Sequence, residues 1–216
     1  MGADCCGSTP VFEGLSADYR RRLWAVIAIN ATMFFVEMGA GAFAGSQALQ
    51  ADALDFLGDT LTYGISLAVI GAALRVRAWA AFAKALSLTL MGLWVLGATA
   101  YHVLILGMPR AEVMGIVGFL ALAANVASVL LLVKYKDGDA NVSSVWLCSR
   151  NDAIGNVAVM AAAVAVWATA TRWPDLIVAA AMAGLFLYSS AKILRQALGE
   201  LRNGQTTGMS LLEHRH

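Results

Sequence analysis

Two pairs of side chains capable of holding a metal ion sit inside segments that otherwise read as membrane-spanning. Asp55 and Asp59 lie in the run ADALDFLGDTLTYGISLAVI, and Cys148 and Asp152 lie in SVWLCSRNDAIGNVAVMAAAV. A spacing of four residues stacks each pair on one helix face, one turn apart. An aspartate at the bilayer centre costs about 2.5 to 3.5 kcal/mol. Asp55, Asp59 and Asp152 together cost on the order of 8 to 10 kcal/mol if nothing compensates them. Two facing acid-bearing pairs point to a divalent cation as the compensation.

Three carboxylates and a thiolate make a four-donor oxygen and sulfur shell, which suits tetrahedral Zn²⁺. The soft thiolate favours Zn²⁺ and Cd²⁺ over Mg²⁺ or Ca²⁺. Whether Cys148 or Asn151 completes the shell stays open, because a lone cysteine is more often a small buried hydrophobe. When the ion leaves, crowded carboxylates take up protons to relieve their mutual repulsion. Metal release coupled to proton uptake is the chemistry of an antiporter.

Helices must position these groups, and composition says they lie in a membrane. The chain is 60% hydrophobic and 13% charged, with a mean hydropathy of +0.70, beyond the apolar share of a soluble domain. Apolar periodicity predicts six transmembrane helices, at about 22–44, 47–73, 77–106, 112–134, 142–170 and 174–199, each long enough for a core of about 30 Å. The fold class is thus an all-α membrane protein. Residues 1–21 read as a flexible cytoplasmic amino terminus, 22–201 as the transporter domain, and 202–216 as a short polar tail, partly an expression scar, whose His214 and His216 are not ligands. The first span lacks the short apolar core and cleavage site of a signal peptide, so it is retained.

Arg20, Arg21, Arg22, Arg75, Arg77, Lys134, Lys136, Lys192, Arg195 and Arg202 fall on one side, against Arg110 and Arg172 on the other. The positive-inside rule then places both termini in the cytoplasm. The net charge of +1 argues against a nucleic-acid partner; the expected partners are the metal, protons and membrane lipid, with no enzymatic cofactor. At about 1.5 Å per residue, Asp55 and Asp59 lie about 12 and 18 Å from the outer end of their helix. Cys148 and Asp152 lie about 8 and 14 Å from the inner end of theirs, so all four share a slab about 10 Å thick.

Helical wheels add auxiliary candidates. Asp52, Thr62, Tyr63 and Ser66 share the face of Asp55 and Asp59, and Ser144, Asn151 and Asn156 join Cys148 and Asp152. Asn30 and Glu37 on the first helix, with Asn125 and Ser128 on the fourth, line the same cavity, with Asp52 towards its outer mouth. Arg150 falls opposite Cys148 and snorkels or pairs with an acid. His102 reads as an interfacial residue. The third and sixth helices look peripheral, with Ala78, Ala81, Ala85, Ala180, Ala183 and Gly184 offering close approach for a homodimer. Cys5 and Cys6 cannot make a closed zinc site alone.

The segments GSQALQADALDFLGDTL and WLCSRNDAIGNVAVM resemble the cation diffusion facilitator transporters over about residues 22–199. The resemblance implies six helices, usually in a homodimer, that move zinc or related metals out of the cytoplasm against a proton flow. In a bacterium that membrane is the inner one. Asp55 and Asp59 match the family's helix-two pair, and Asp152 matches the second member of its helix-five pair. Cys148 stands where the family usually has His or Asp. The family's cytoplasmic carboxy-terminal domain is missing from the expected layout, which reads as a short form. Two other classes compete: a passive divalent cation channel, and an intramembrane aspartyl protease, in which two carboxylates sharing a proton activate water.

Overall fold

The computed structural model describes residues 16–68, 74–105, 107–135 and 140–213. Six helices follow one another: α1 (Ala17–Ala44), α2 (Gln47–Ala68), α3 (Leu74–Ile105), α4 (Ala111–Leu132), α5 (Ala140–Thr169) and α6 (Trp173–Glu213), with a 3₁₀ turn at Val133–Tyr135. Among the described residues there is no strand. α6 continues well past the predicted end near 199, through most of the stretch read as a polar tail. Residues 69–73, predicted to end the second helix, and the Cys5-Cys6 pair lie outside the described residues.

Local chemistry sets the helix ends. Ser16 Oγ accepts from Tyr19 N at 3.2 Å, capping α1. At its other end Gly45 takes φ 67°, a left-handed conformation that glycine adopts without Cβ strain. The Gly45 and Ser46 N–H groups turn back to the carbonyls of Ala42 and Gly41, closing a Schellman motif. The chain then reverses directly into α2, which makes α1 and α2 antiparallel neighbours. Gly41 lets them approach closely, since a Cβ there would meet Gln50 Cγ at 2.8 Å.

Among the described residues, five helices carry a stretch long and apolar enough to cross a membrane. The described stretch of α2, Gln47–Ala68, does not, since every eighteen-residue window within it contains Asp52, Asp55 and Asp59. Packing explains how so polar a helix is kept: α2 touches all five other helices, and most of its residues from Gln47 to Gly58 are buried. α3 and α6 form the most extensive pair. Gly92 abuts Leu187 there, and Ser190 Oγ donates to the Ala85 carbonyl at 2.8 Å. This corrects the expectation for the small residues. Ala85 and Ala183 are buried within the chain itself, at 1% and 0% exposure, and cannot meet a second subunit. Ala180 and Gly184 remain exposed.

The interior is layered along the bundle axis. Near the Gly45 end, Leu49, Leu54, Val95, Met114, Val159, Val166 and Phe186 belong to one apolar cluster. At the opposite end Tyr19, Leu23, Val26, Tyr63, Leu132 and Tyr135 form another. The buried polar side chains Asn30, Asn125, Ser128 and Asn156 occupy the stretch of helix between them.

Candidate metal centre

The polar layer is built mainly on α1, α2 and α5. α2 and α5 pack directly against each other, the contact that any shared site requires. The Asp152 carboxyl comes within hydrogen-bonding reach of both Asp55 and Asp59. Its Oδ2 has no donor. Asp59 is the best-supported of the three. Its Oδ2 accepts from Asn30 Nδ2 at 3.5 Å and from the Tyr63 hydroxyl one turn along α2. Cys148 approaches Tyr63, with Asp59 and Asp55 beyond, although its residue is exposed at the chain surface.

The register follows from helix geometry. α2 and α5 are antiparallel, so a step of four residues forward on α5 matches a step of four back on α2. Cys148 therefore faces the Asp59–Tyr63 turn, and Asp152 faces the Asp55–Asp59 turn. Among the described residues, no three His, Cys, Asp or Glu side chains are drawn into a closed coordination cage. The donors are adjacent and not yet gathered on one centre.

The auxiliary candidates separate into two groups. Asn30 and Asn156 are buried, and Asn30 Oδ1 and both polar atoms of Asn156 lack partners. Glu37 and Asp52 are buried together farther towards the Gly45 end, with their carboxyls in contact. Asn151, by contrast, is exposed, and its Oδ1 accepts from Arg150 Nη2 at 3.3 Å. The Arg150 guanidinium lies over the Trp146 ring at 5.5 Å, not against an acid. Asn151 thus turns to the outside of α5, away from the carboxylates. On α4, Asn125 and Ser128 are buried as expected.

Three participants were not assigned these roles from the chain alone. Tyr63 was placed on the right face, yet its bond to Asp59 becomes visible only once rotamers are known. Lys84 on α3 donates to Ser66 Oγ at 2.8 Å and brings a positive charge towards Cys148. Asp175, two residues into α6, accepts from Ser46 Oγ and from the Gln47 and Ala48 N–H groups. The signal available for it was Trp-Pro-Asp at a helix start, where an acid is favoured. His102, read as interfacial, shares a 3.1 Å contact with Gln47 at that same end.

The cation efflux transmembrane domain profile matches residues 23–202, nearly the whole helical bundle. The chain belongs to the cation efflux family. This is a transporter family and not a family of enzymes. The chain is 26% identical over 205 residues to the metal cation efflux system protein CzcD of Cupriavidus metallidurans, covering 89% of this chain and 65% of that one. It is 27% identical over 208 residues to the zinc transporter ZitB of Pectobacterium atrosepticum, covering 88% of this chain and 64% of that one. The chain therefore spans less than two thirds of the length of these relatives. For a cation efflux domain, the acids on α2 and α5 are where the cargo would be sought.

Proposed function

We propose that this chain exports a divalent transition metal, Zn²⁺ first and Cd²⁺ second, from the cytoplasm in exchange for protons. The observation that carries the reading is the meeting of Asp152 with Asp55 and Asp59 on the one helix that packs against all the others. In this reading the ion binds between α2 and α5, held by Asp55, Asp59 and Asp152, with Cys148 as the fourth donor. Cys148 is preferred to Asn151 because the Asn151 amide is engaged outward with Arg150. A small inward adjustment of α5 gathers the donors when the cation replaces their mutual repulsion with attraction.

Asn30 and Tyr63 orient Asp59, as outer partners orient ligands in metal sites generally. When the ion departs, protons neutralise the carboxylates, so a proton gradient drives the cycle. The distribution of Lys and Arg supports cytoplasmic termini, and the bacterial sources of the relatives support an inner-membrane location. The reading includes a homodimer formed between membrane helices, using faces other than those of Ala85 and Ala183.

The deciding experiment is Zn²⁺ flux in sealed proteoliposomes with and without an imposed pH gradient. Metal and protons moving in opposite directions, with flux following the gradient, support the antiporter. Zn²⁺ flux indifferent to the pH gradient contradicts it and favours a channel. Absence of flux together with cleavage of a membrane peptide favours the protease reading.

A further inference from the structure

Glu37 on α1 and Asp52 on α2 are 0% and 1% exposed. Their carboxyls touch, yet Glu37 Oε1 and Oε2 and Asp52 Oδ2 have no donor. Among the described residues, no lysine, arginine or histidine forms an ion pair with either acid. Two carboxyls in contact and out of water must either share a proton or take a positive partner, because both burial and mutual repulsion oppose a pair of bare charges. A third buried group is also without partners. Asn156 on α5 is 0% exposed, and neither its Oδ1 nor its Nδ2 has a partner.

Helix geometry brings the three together. Asn30 bonds Asp59, and seven residues, almost two whole turns, separate Asn30 from Glu37 and Asp59 from Asp52. Equal steps in opposite directions keep the two antiparallel faces opposed, so Glu37 meets Asp52 as Asn30 meets Asp59. On α5, Asn156 follows Asp152 by one turn on the same face. Asp152 reaches Asp55 and Asp59, so Asn156 is directed at the Asp52–Asp55 turn. Gly41, one turn beyond Glu37, holds α1 hard against α2 and keeps the acids in contact.

We propose that Glu37, Asp52 and Asn156 form a second, all-oxygen subsite for a divalent cation, displaced from the Asp55–Asp59–Asp152 cluster towards the Gly45 end. The proposal rests on the export reading and deepens it by supplying the ion's next station. Asp52 lies about 4.5 Å along the helix axis from Asp55, close enough for an ion to pass from one carboxylate to the other. Two carboxylates and an amide oxygen without sulfur make a harder and weaker site than one containing a thiolate. Proton uptake by the tight site would release the ion outward to the looser one, from which it can leave.

The test counts Cd²⁺ bound to the chain by equilibrium dialysis against saturating free Cd²⁺ and reads cadmium–thiolate absorption on the same samples. The parent should hold two Cd²⁺ per chain, only one of them accompanied by the thiolate band. Glu37→Gln with Asp52→Asn keeps shape and removes both charges. It should lose one Cd²⁺ and keep the full thiolate band, which also reports an intact fold. Asp59→Asn with Asp152→Asn should lose the band and keep one Cd²⁺. Asn156→Asp adds a third carboxylate and should tighten the weaker ion about tenfold. A parent that holds one Cd²⁺, unchanged in count and band by the Glu37 and Asp52 substitutions, overturns the subsite and leaves the export site standing. A parent whose Cd²⁺ gives no thiolate band contradicts Cys148 as a ligand. The subsite is then judged by whether the Glu37 and Asp52 substitutions still remove one ion.

Discussion

Asp175 and Asp52 are equally buried, each 1% exposed, and they are treated in opposite ways. Asp175 accepts from Ser46 Oγ at 2.6 Å, Gln47 N at 2.8 Å and Ala48 N at 3.0 Å. It sits at the amino-terminal end of α2, where the helix dipole favours an anion. Asp52, on the next turn of that helix, faces Glu37 and leaves Oδ2 without a donor. A saturated carboxylate is a lock between α6 and α2, and removing it disturbs the fold. An unsaturated one is held by the surrounding packing at a cost in stability. The same contrast separates Asp175 from Asp152, whose Oδ2 is also orphaned.

That contrast can be broken most severely at the central site. Asp59→Ala or Asp152→Ala should lower Zn²⁺ flux in proteoliposomes by about a hundredfold or more, since even outer-partner losses reach that range. Without metal, the thermal unfolding midpoint of Asp152→Ala should not fall, because an uncompensated charge has been removed, whereas Asp59→Ala strands the Asn30 and Tyr63 donors and should lower it. Parent-rate flux in either variant would remove these residues from the transport site. Asp175→Ala should do the reverse. It strands three donors and should destabilise the protein by about 3 kcal/mol, read from unfolding in detergent. Zn²⁺ flux per folded molecule should stay within about twofold of the parent. An Asp175→Ala variant that unfolds normally and loses transport would erase the distinction between locking and binding acids.

Smaller effects sharpen the assignment of the fourth donor. Cys148→Ser should weaken Cd²⁺ binding about tenfold while changing Mn²⁺ binding little, because a hydroxyl is a poor partner for a soft metal. Cys148→His should retain Zn²⁺ transport, since imidazole also suits a tetrahedral zinc shell. If Cys148 only packs, serine is silent and the bulkier histidine disrupts, so the two variants exchange rank. The smallest effect is expected at Asn151. Asn151→Ala removes an exposed contact with Arg150 and should leave Zn²⁺ affinity within about twofold of the parent.

Much of this arrangement was legible in the chain because helix periodicity converts spacing into direction. The four-residue spacing of Asp55 with Asp59 and of Cys148 with Asp152 fixed each pair on a face. Depth arithmetic then put both pairs in one slab, and the observed packing of α2 on α5 completes that step. Asn151 was harder to place. It lies on the edge of the α5 polar stripe, and only the position of Arg150 over Trp146 shows it turned outward. Two of the small residues of α3 and α6, Ala85 and Ala183, serve another contact for a related reason. Small side chains permit close packing of any two helices, and here α3 and α6 of one chain use Ala85 and Ala183 on each other. The lock at Asp175 depends on α6 starting beside the first turn of α2, a long-range fact that no local pattern carries.

The central claim is that one transported ion sits between α2 and α5 on Asp55, Asp59, Asp152 and Cys148. An anomalous-scattering map from Zn²⁺-loaded crystals tests it directly. A peak is expected between those helices, with carboxylate oxygens at about 2.0 to 2.2 Å and the Cys148 sulfur at about 2.3 Å. A Zn²⁺ peak bound elsewhere in the bundle, with Asp59 and Asp152 both free of metal, would contradict it.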